Sequence, residues 1–269
     1  MTCTNEIEEL AELVASEHWQ QGRVNPCDIA SALGLTFSFA RYDDYFDGLI
    51  ECKARRFHVY INLDTNKTAD SSRARFSFAH ELGHYFIDWH RHALEHGAPS
   101  HGSMVDFESA MEIEREADLF AANLLMPRER LRAAARPCIE AAEIRRLASA
   151  FGTSLSATAI RCAQMNLGPM IVMKWIDSGR SWCWSSPQFE KLTGNKAFRA
   201  IERIIPGSIT RQVLNGNLKI DLSTYTKGTT LAAWFPFVKS GSAADEIMVE
   251  ECISLGPHGV LTILRPAMG

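Results

Sequence analysis

No two of the seven cysteines, Cys3, Cys27, Cys52, Cys138, Cys162, Cys183 and Cys252, stand in C-x-x-C spacing. Their odd number and scatter exclude a cysteine zinc cage and predict free thiols in a reducing compartment. Apolar runs of membrane-spanning length are also missing. The first residues hold Glu6, Glu8, Glu9 and Glu12, where a secretory leader would be basic. A soluble, cytoplasmic protein is expected. There is no excess of positive charge either, and a net charge of −4 argues against wholesale nucleic-acid binding. Internal repeats and low-complexity tracts are absent. What remains is ordinary: 46% of 269 residues are hydrophobic, enough for one large core or two modest ones.

Against that background one pentapeptide stands out, His80-Glu81-Leu82-Gly83-His84. Two imidazoles four residues apart lie on one face of a helix, one turn apart, close enough to hold one metal ion. Glu81 points toward the same edge, where it can take a proton from an attacking water. The pattern points to zinc-assisted hydrolysis of a peptide bond. Alone it is a moderate signal, because a pair of satisfied core histidines would read the same way. Gly83 is expected to let another segment approach the helix between the two histidines.

A second stretch strengthens the reading. Residues 112–127 form an acidic-headed helix that ends in an apolar stripe and Pro127. Glu114 and Asp118 share a face. One carboxylate can be a third ligand while the other holds a ligand histidine by its free ring N–H. Glu114 fits the ligand role better, since Phe120-Ala121 turn toward the core beyond Asp118. Two His, one Glu and an open position make a catalytic site rather than a closed structural one. The set accepts Zn²⁺ and also Mn²⁺. Glu112 and Glu116 fall on other faces and are expected to be solvated. His90 lies six residues past His84, the spacing of a third histidine in metzincin-type sites. Those sites need a glycine midway, and here Ile87 is expected to continue the helix and carry His90 away. Tyr85 is expected to pack, and His92, His96 and His101 to lie in a loop at the mouth of the site.

These motifs, Arg75-Phe-Ser-Phe-Ala-His-Glu-Leu-Gly-His84 and Glu114-Arg-Glu-Ala-Asp-Leu-Phe-Ala-Ala-Asn-Leu-Leu-Met-Pro127, resemble the ImmA/IrrE-type metallopeptidases. The stretch Pro26–Gly34, Gly48 and the strand-like Phe57–Leu63 fit the same pattern, so the resemblance covers roughly residues 5–168. It implies a bacterial or phage-element protease of the cytoplasm. Its substrate would be a helix-turn-helix repressor whose cleavage derepresses a stress or mobile-element response. The implied fold is α+β. A zincin-like domain with a small N-terminal sheet and the H-E-x-x-H helix occupies 1–127. A helix-turn-helix-like segment spans 128–168, and an α+β domain spans 169–269, where relatives carry a sensor-like domain.

Periodicity supplies the elements. Helices are expected over 5–20, from Asn25-Pro26 to Gly34, from about Ser72 to Trp89, over 112–126, and over 139–151 and 154–165, with a break at Gly152-Thr153. One more is expected around 197–204. Strands are expected at 36–40, around Ile50, and at 57–63, 170–176, 218–222, 229–238, 247–253 and 260–264. Asn215-Gly216 is a hairpin signal, Gly168-Pro169 the best boundary, and Trp182-Cys183-Trp184 sheet core or a ligand pocket. Residues 128–168 hold seven arginines against three glutamates. A DNA-reading helix needs several polar or basic outer residues, and 154–164 offers only Arg161 and Gln164. Packing or repressor docking is therefore expected ahead of direct DNA binding. The competing reading is a non-catalytic regulator, stabilised by its metal, that binds a partner or DNA through 140–166.

Overall fold

The computed structural model describes residues 4–20, 22–66, 68–97, 107–195, 197, 202–216, 224–238 and 246–267. Mixed α and β elements form two compact units, residues 1–131 with 148–154, and residues 132–147 with 155–269. The chain passes between these units within the helical segment.

In the first unit, α1 (Thr4–Glu17) is followed by a short ladder of β1 (Trp19–Gln20) and β2 (Arg23–Val24). Helix α2 (Pro26–Ala32) starts as its sequence dictates: the Asn25 side chain accepts from the Cys27 N–H, and Pro26 takes the first helical position. Strands β3 (Thr36–Ala40), β4 (Gly48–Lys53) and β5 (Arg56–Asn62) form a sheet of order β3-β5-β4, with β3 parallel and β4 antiparallel to β5. Ile50, Val59 and Ile61 are fully buried. The polar connector after β5 contains one helical turn, α3 (Leu63–Asn66).

Buried Asn62 at the end of β5 organises the loop before β4. Its Oδ1 accepts from the Tyr42 and Asp64 N–H groups, and its Nδ2 donates to the Asp43 and Phe46 carbonyls. That amide holds the 41–47 loop in place.

Helix α4 (Ser72–Phe86) carries both histidines of the pentapeptide and begins at Ser71, whose side chain accepts from the Ala74 N–H. It ends three residues before its expected end. Ile87 is extended (φ −74°, ψ 111°), and a second helix, α5 (Asp88–Glu95), starts at once. A β-branched residue accepts extended backbone readily, and the break buries both Ile87 and His90. The expectation that Ile87 carries His90 away is therefore overturned. Residues 90–95 are helical where a loop was expected, and His101 lies outside the described residues.

Helix α6 (Phe107–Leu125) packs on α4, on α1 and on β2. The two helices come close together at Gly83. A Cβ there would sit 3.1 Å from the Ala117 Cα and 3.2 Å from its carbonyl oxygen. Phe86 stacks on Phe120 with ring centroids 5.4 Å apart. Tyr85 packs edge-on to Phe57, as expected of a packing residue.

Helices α7 (Arg128–Ala134), α8 (Ala141–Phe151) and α9 (Leu155–Gln164) follow, with the expected break at Gly152, whose φ is +65°. Arg161, the one cation on α9, is buried.

In the second unit, β6 (Ile171–Ile176), β7 (Gly179–Ser185), α10 (Pro187–Leu192), α11 (Ile209–Leu214), β8 (Thr224–Thr230), α12 (Leu231–Trp234), β9 (Ile247–Ser254) and β10 (Val260–Pro266) build an antiparallel sheet of order β7-β6-β10-β9-β8. Trp175, Phe189, Trp234 and Phe235 fill its core.

Several expectations fail here. Asn215-Gly216 closes a helix instead of a hairpin: α11 is capped by Ser208, and Gly216 takes φ +71° just past its end. Asn-Gly serves a helix C-terminus as well as a tight turn, because both need left-handed backbone. The strand expected at 229–238 ends at Thr230, whose side chain caps α12 and lets Leu231, Trp234 and Phe235 enter the core together. Strand β7 went unrecognised. It is an edge strand carrying Trp182-Cys183-Trp184, with Trp184 45% exposed. The strand expected at 218–222 and most of the helix expected at 197–204 lie outside the described residues.

The α4–α6 contact makes a direct prediction. Gly83→Val drives a side chain into the α6 backbone and lowers unfolding stability by ~1–3 kcal/mol, read from the denaturant midpoint. An unchanged midpoint would show that the helices part freely.

Candidate metal centre

Helices α4 and α6 bring three side chains together. His80 Nε2 lies 3.2 Å from His84 Nε2 and 3.0 Å from Glu114 Oε2. His84 Nε2 lies 3.7 Å from Glu114 Oε1. All three can offer a ligand atom within 4.8 Å of one another. Ligands about 2.0–2.1 Å from a tetrahedral zinc stand ~3.3 Å apart, so the observed spacing suits one small divalent cation. The donor chemistry agrees: two imidazole nitrogens and a carboxylate, each a common ligand of a small divalent cation, face one point.

Asp118 sits one turn below Glu114 and its Oδ1 lies 2.9 Å from His80 Nδ1. Burial disfavours charge on His80, but hydrogen bonds with Asp118 and Glu114 outweigh it and lift the pKa to about 10.

Glu81 is buried beside the ligands, against the start of β4. A Cβ on Gly48 would lie 2.8 Å from Glu81 Oε1, so a side chain there would push that carboxylate from its position. Glu81 Oε2 has no hydrogen-bond partner among the described residues. Burial raises its pKa to about 7, partly opposed by the charge on His80 and reinforced by Glu114, while the Ile50 N–H favours the ionised form. A buried carboxylate with one oxygen unpaired is costly for a fold to keep, and this one lines a cavity. A cavity of about 330 Å³ is lined by Phe46, Gly48, Phe76, His80, Glu81 and Glu114, among others. Tyr45, 83% exposed, stands at its rim. Asp47, also on the lining, is paired with Arg73 at 2.6 Å.

A layer behind the ligands was not foreseen. His90 is buried, with Nδ1 3.1 Å from His84 Nδ1 and Nε2 3.0 Å from Glu116 Oε2. The Trp89 indole N–H donates to the same Glu116 oxygen at 3.0 Å. Burial holds the His90 pKa down to about 4. Glu116 is thus buried and hydrogen-bonded, not a solvated helix charge. The signal available in the sequence was its register, since Glu116, Phe120 and Asn123 follow helical spacing on a stripe that is buried.

A divalent-metal site on an H-E-x-x-H helix, completed by a glutamate from a second helix, defines the class to which this centre is similar. Residues 53–163 match the family model Peptidase_M78, described as an IrrE N-terminal-like domain, and that segment is similar to the ImmA/IrrE family. A structure titled "Mycobacterium tuberculosis transcriptional regulator" is similar in fold, with a TM-score of 0.59 and 12% identity over 97% of this chain and 74% of that one. No curated protein matches.

Removing a converging ligand should remove the ion. His80→Ala, His84→Ala and Glu114→Ala each lower the Zn²⁺ content of the purified protein toward zero. Asp118→Ala, which frees one ligand ring, weakens affinity by about 10–100-fold in a chelator competition. Full zinc content in the Glu114 variant would exclude that residue as a ligand.

Proposed function

We propose that this chain is a metal-dependent endopeptidase with a zincin-like catalytic domain over 1–127. His80, His84 and Glu114 would hold Zn²⁺, or Mn²⁺, and Asp118 would orient His80. The observation that carries the reading is Glu81, a buried carboxylate with one oxygen unpaired among the described residues, beside the His80, His84 and Glu114 cluster and on the lining of a cavity. A cation held there with one position open supplies Lewis acidity to a carbonyl oxygen and lowers the pKa of water. The protein does the rest. Glu81 takes a proton from the attacking water on its carboxylate and passes it to the leaving amine nitrogen. The Phe46 and Phe76 side of the cavity shelters the reacting bond from bulk water.

The substrate we propose is a helix-turn-helix repressor, cut in an extended linker to derepress a stress or mobile-element response in the cytoplasm. Segment 128–168 would serve in docking, and 169–269 in sensing or substrate binding. The burial of Arg161 supports docking over DNA reading, because α9 then presents no exposed cation among its described residues. No helix among the described residues is long and apolar enough to cross a membrane.

The test takes a helix-turn-helix repressor from the reading frames that flank this one and incubates it with the purified protein, with and without a chelator. The native protein cuts the repressor, the chelator stops cutting, and Glu81→Gln retains zinc while losing cleavage by at least ~100-fold. A Glu81→Gln protein that cuts at the native rate would end the mechanism. One that fails to cut yet still derepresses in cells would favour the metal-stabilised, non-catalytic regulator.

A further inference from the structure

We propose that His90 and Glu116 are positioning residues that fix which ring nitrogen of His84 carries its proton, and so turn the His84 Nε2 lone pair toward a bound cation. The inference rests on the reading of His80, His84 and Glu114 as a metal site.

The chain of hydrogen bonds has one direction. Glu116 Oε2 receives the Trp89 Nε1–H, a group that can only donate, and lies equally close to His90 Nε2. An ionised carboxylate has no proton to offer, so His90 Nε2 is the donor. The Nδ1 of neutral His90 is then a lone pair and accepts from His84 Nδ1–H, 3.1 Å away. That leaves His84 Nε2 unprotonated, facing His80 Nε2 and Glu114. The opposite order would set two N–H groups against each other and aim a proton at the ligand cluster. Water cannot relieve such a mismatch, since His84, His90 and Glu116 are all buried.

The backbone is built for this arrangement. The break at Ile87 starts α5 against the end of α4, and His90 in the first turn of α5 comes back onto His84. The two ligand histidines are therefore anchored differently. His80 uses an exposed carboxylate, Asp118, directly. His84 reaches a buried carboxylate through a second imidazole.

The test is the Zn²⁺ affinity of the full chain by competition with a chromogenic chelator, with Co²⁺ absorption as a report on ligand geometry. His90→Phe and Glu116→Leu each weaken Zn²⁺ binding by about 10–100-fold and alter the Co²⁺ bands. His90→Gln, whose amide oxygen can accept the His84 N–H, and Glu116→Gln, whose amide oxygen can accept both N–H groups, recover most of the affinity. A packing role alone would lower the metal-free unfolding midpoint without separating Phe from Gln at position 90. Native Zn²⁺ affinity and native Co²⁺ bands in all four variants would overturn the relay and leave the metal site standing. A native chain that binds neither ion would overturn both.

Discussion

The close approach of α6 to α4 is the constraint on which the centre depends. At Gly83 the α6 backbone comes so near that even a Cβ would stand 3.1 Å from the Ala117 Cα, tighter than ordinary packing. Glu114 and Asp118 lie on the same helix as Ala117, one turn or less from that contact, so the separation of the two helices sets their reach toward His80 and His84. Stacking of Phe86 on Phe120 secures the same contact one turn further along. The geometry of three ligands thus follows from packing that has no chemistry of its own.

Charge is distributed around that contact in layers. On the exposed side, carboxylates face His80 from two directions and favour a positive charge there. On the buried side, His84 Nδ1 meets the imidazole of His90, which in turn meets the carboxylate of Glu116. Glu81 occupies a third environment, in a niche that exists because position 48 has no side chain. A neighbouring cation would relieve the cost of each buried acid, so the fold holds a set of groups that a single ion can satisfy together.

Much of this was legible in the sequence because the informative spacings are local. His80 and His84, like Glu114 and Asp118, are four apart, and helical periodicity alone puts each pair on one face. The need for a glycine between the histidines, the Asn25-Pro26 helix start and the three strands of the small sheet were also readable. The break at Ile87 was not, because nothing in the local chain forbids a longer helix there. Burial of Ile87 and His90 decides it, and that is a tertiary effect. Glu116 was misread for the same reason, since its partners Trp89 and His90 arrive from another helix. In the second unit the failures come from ambiguous signals. Asn215-Gly216 suits a turn and a helix end alike, and the apolar run after Thr230 packs as a helical turn instead of continuing the strand. No residue of β7 is fully buried, which fits an edge position better than a core one.

The most direct test of the account is X-ray absorption at the zinc edge on the purified, zinc-loaded protein. The account predicts a first shell of nitrogen and oxygen at about 2.0–2.2 Å, with two imidazoles resolved by their outer-shell scattering and no sulfur. A sulfur shell, a single imidazole, or zinc that stays bound after both His80 and His84 are replaced would contradict it.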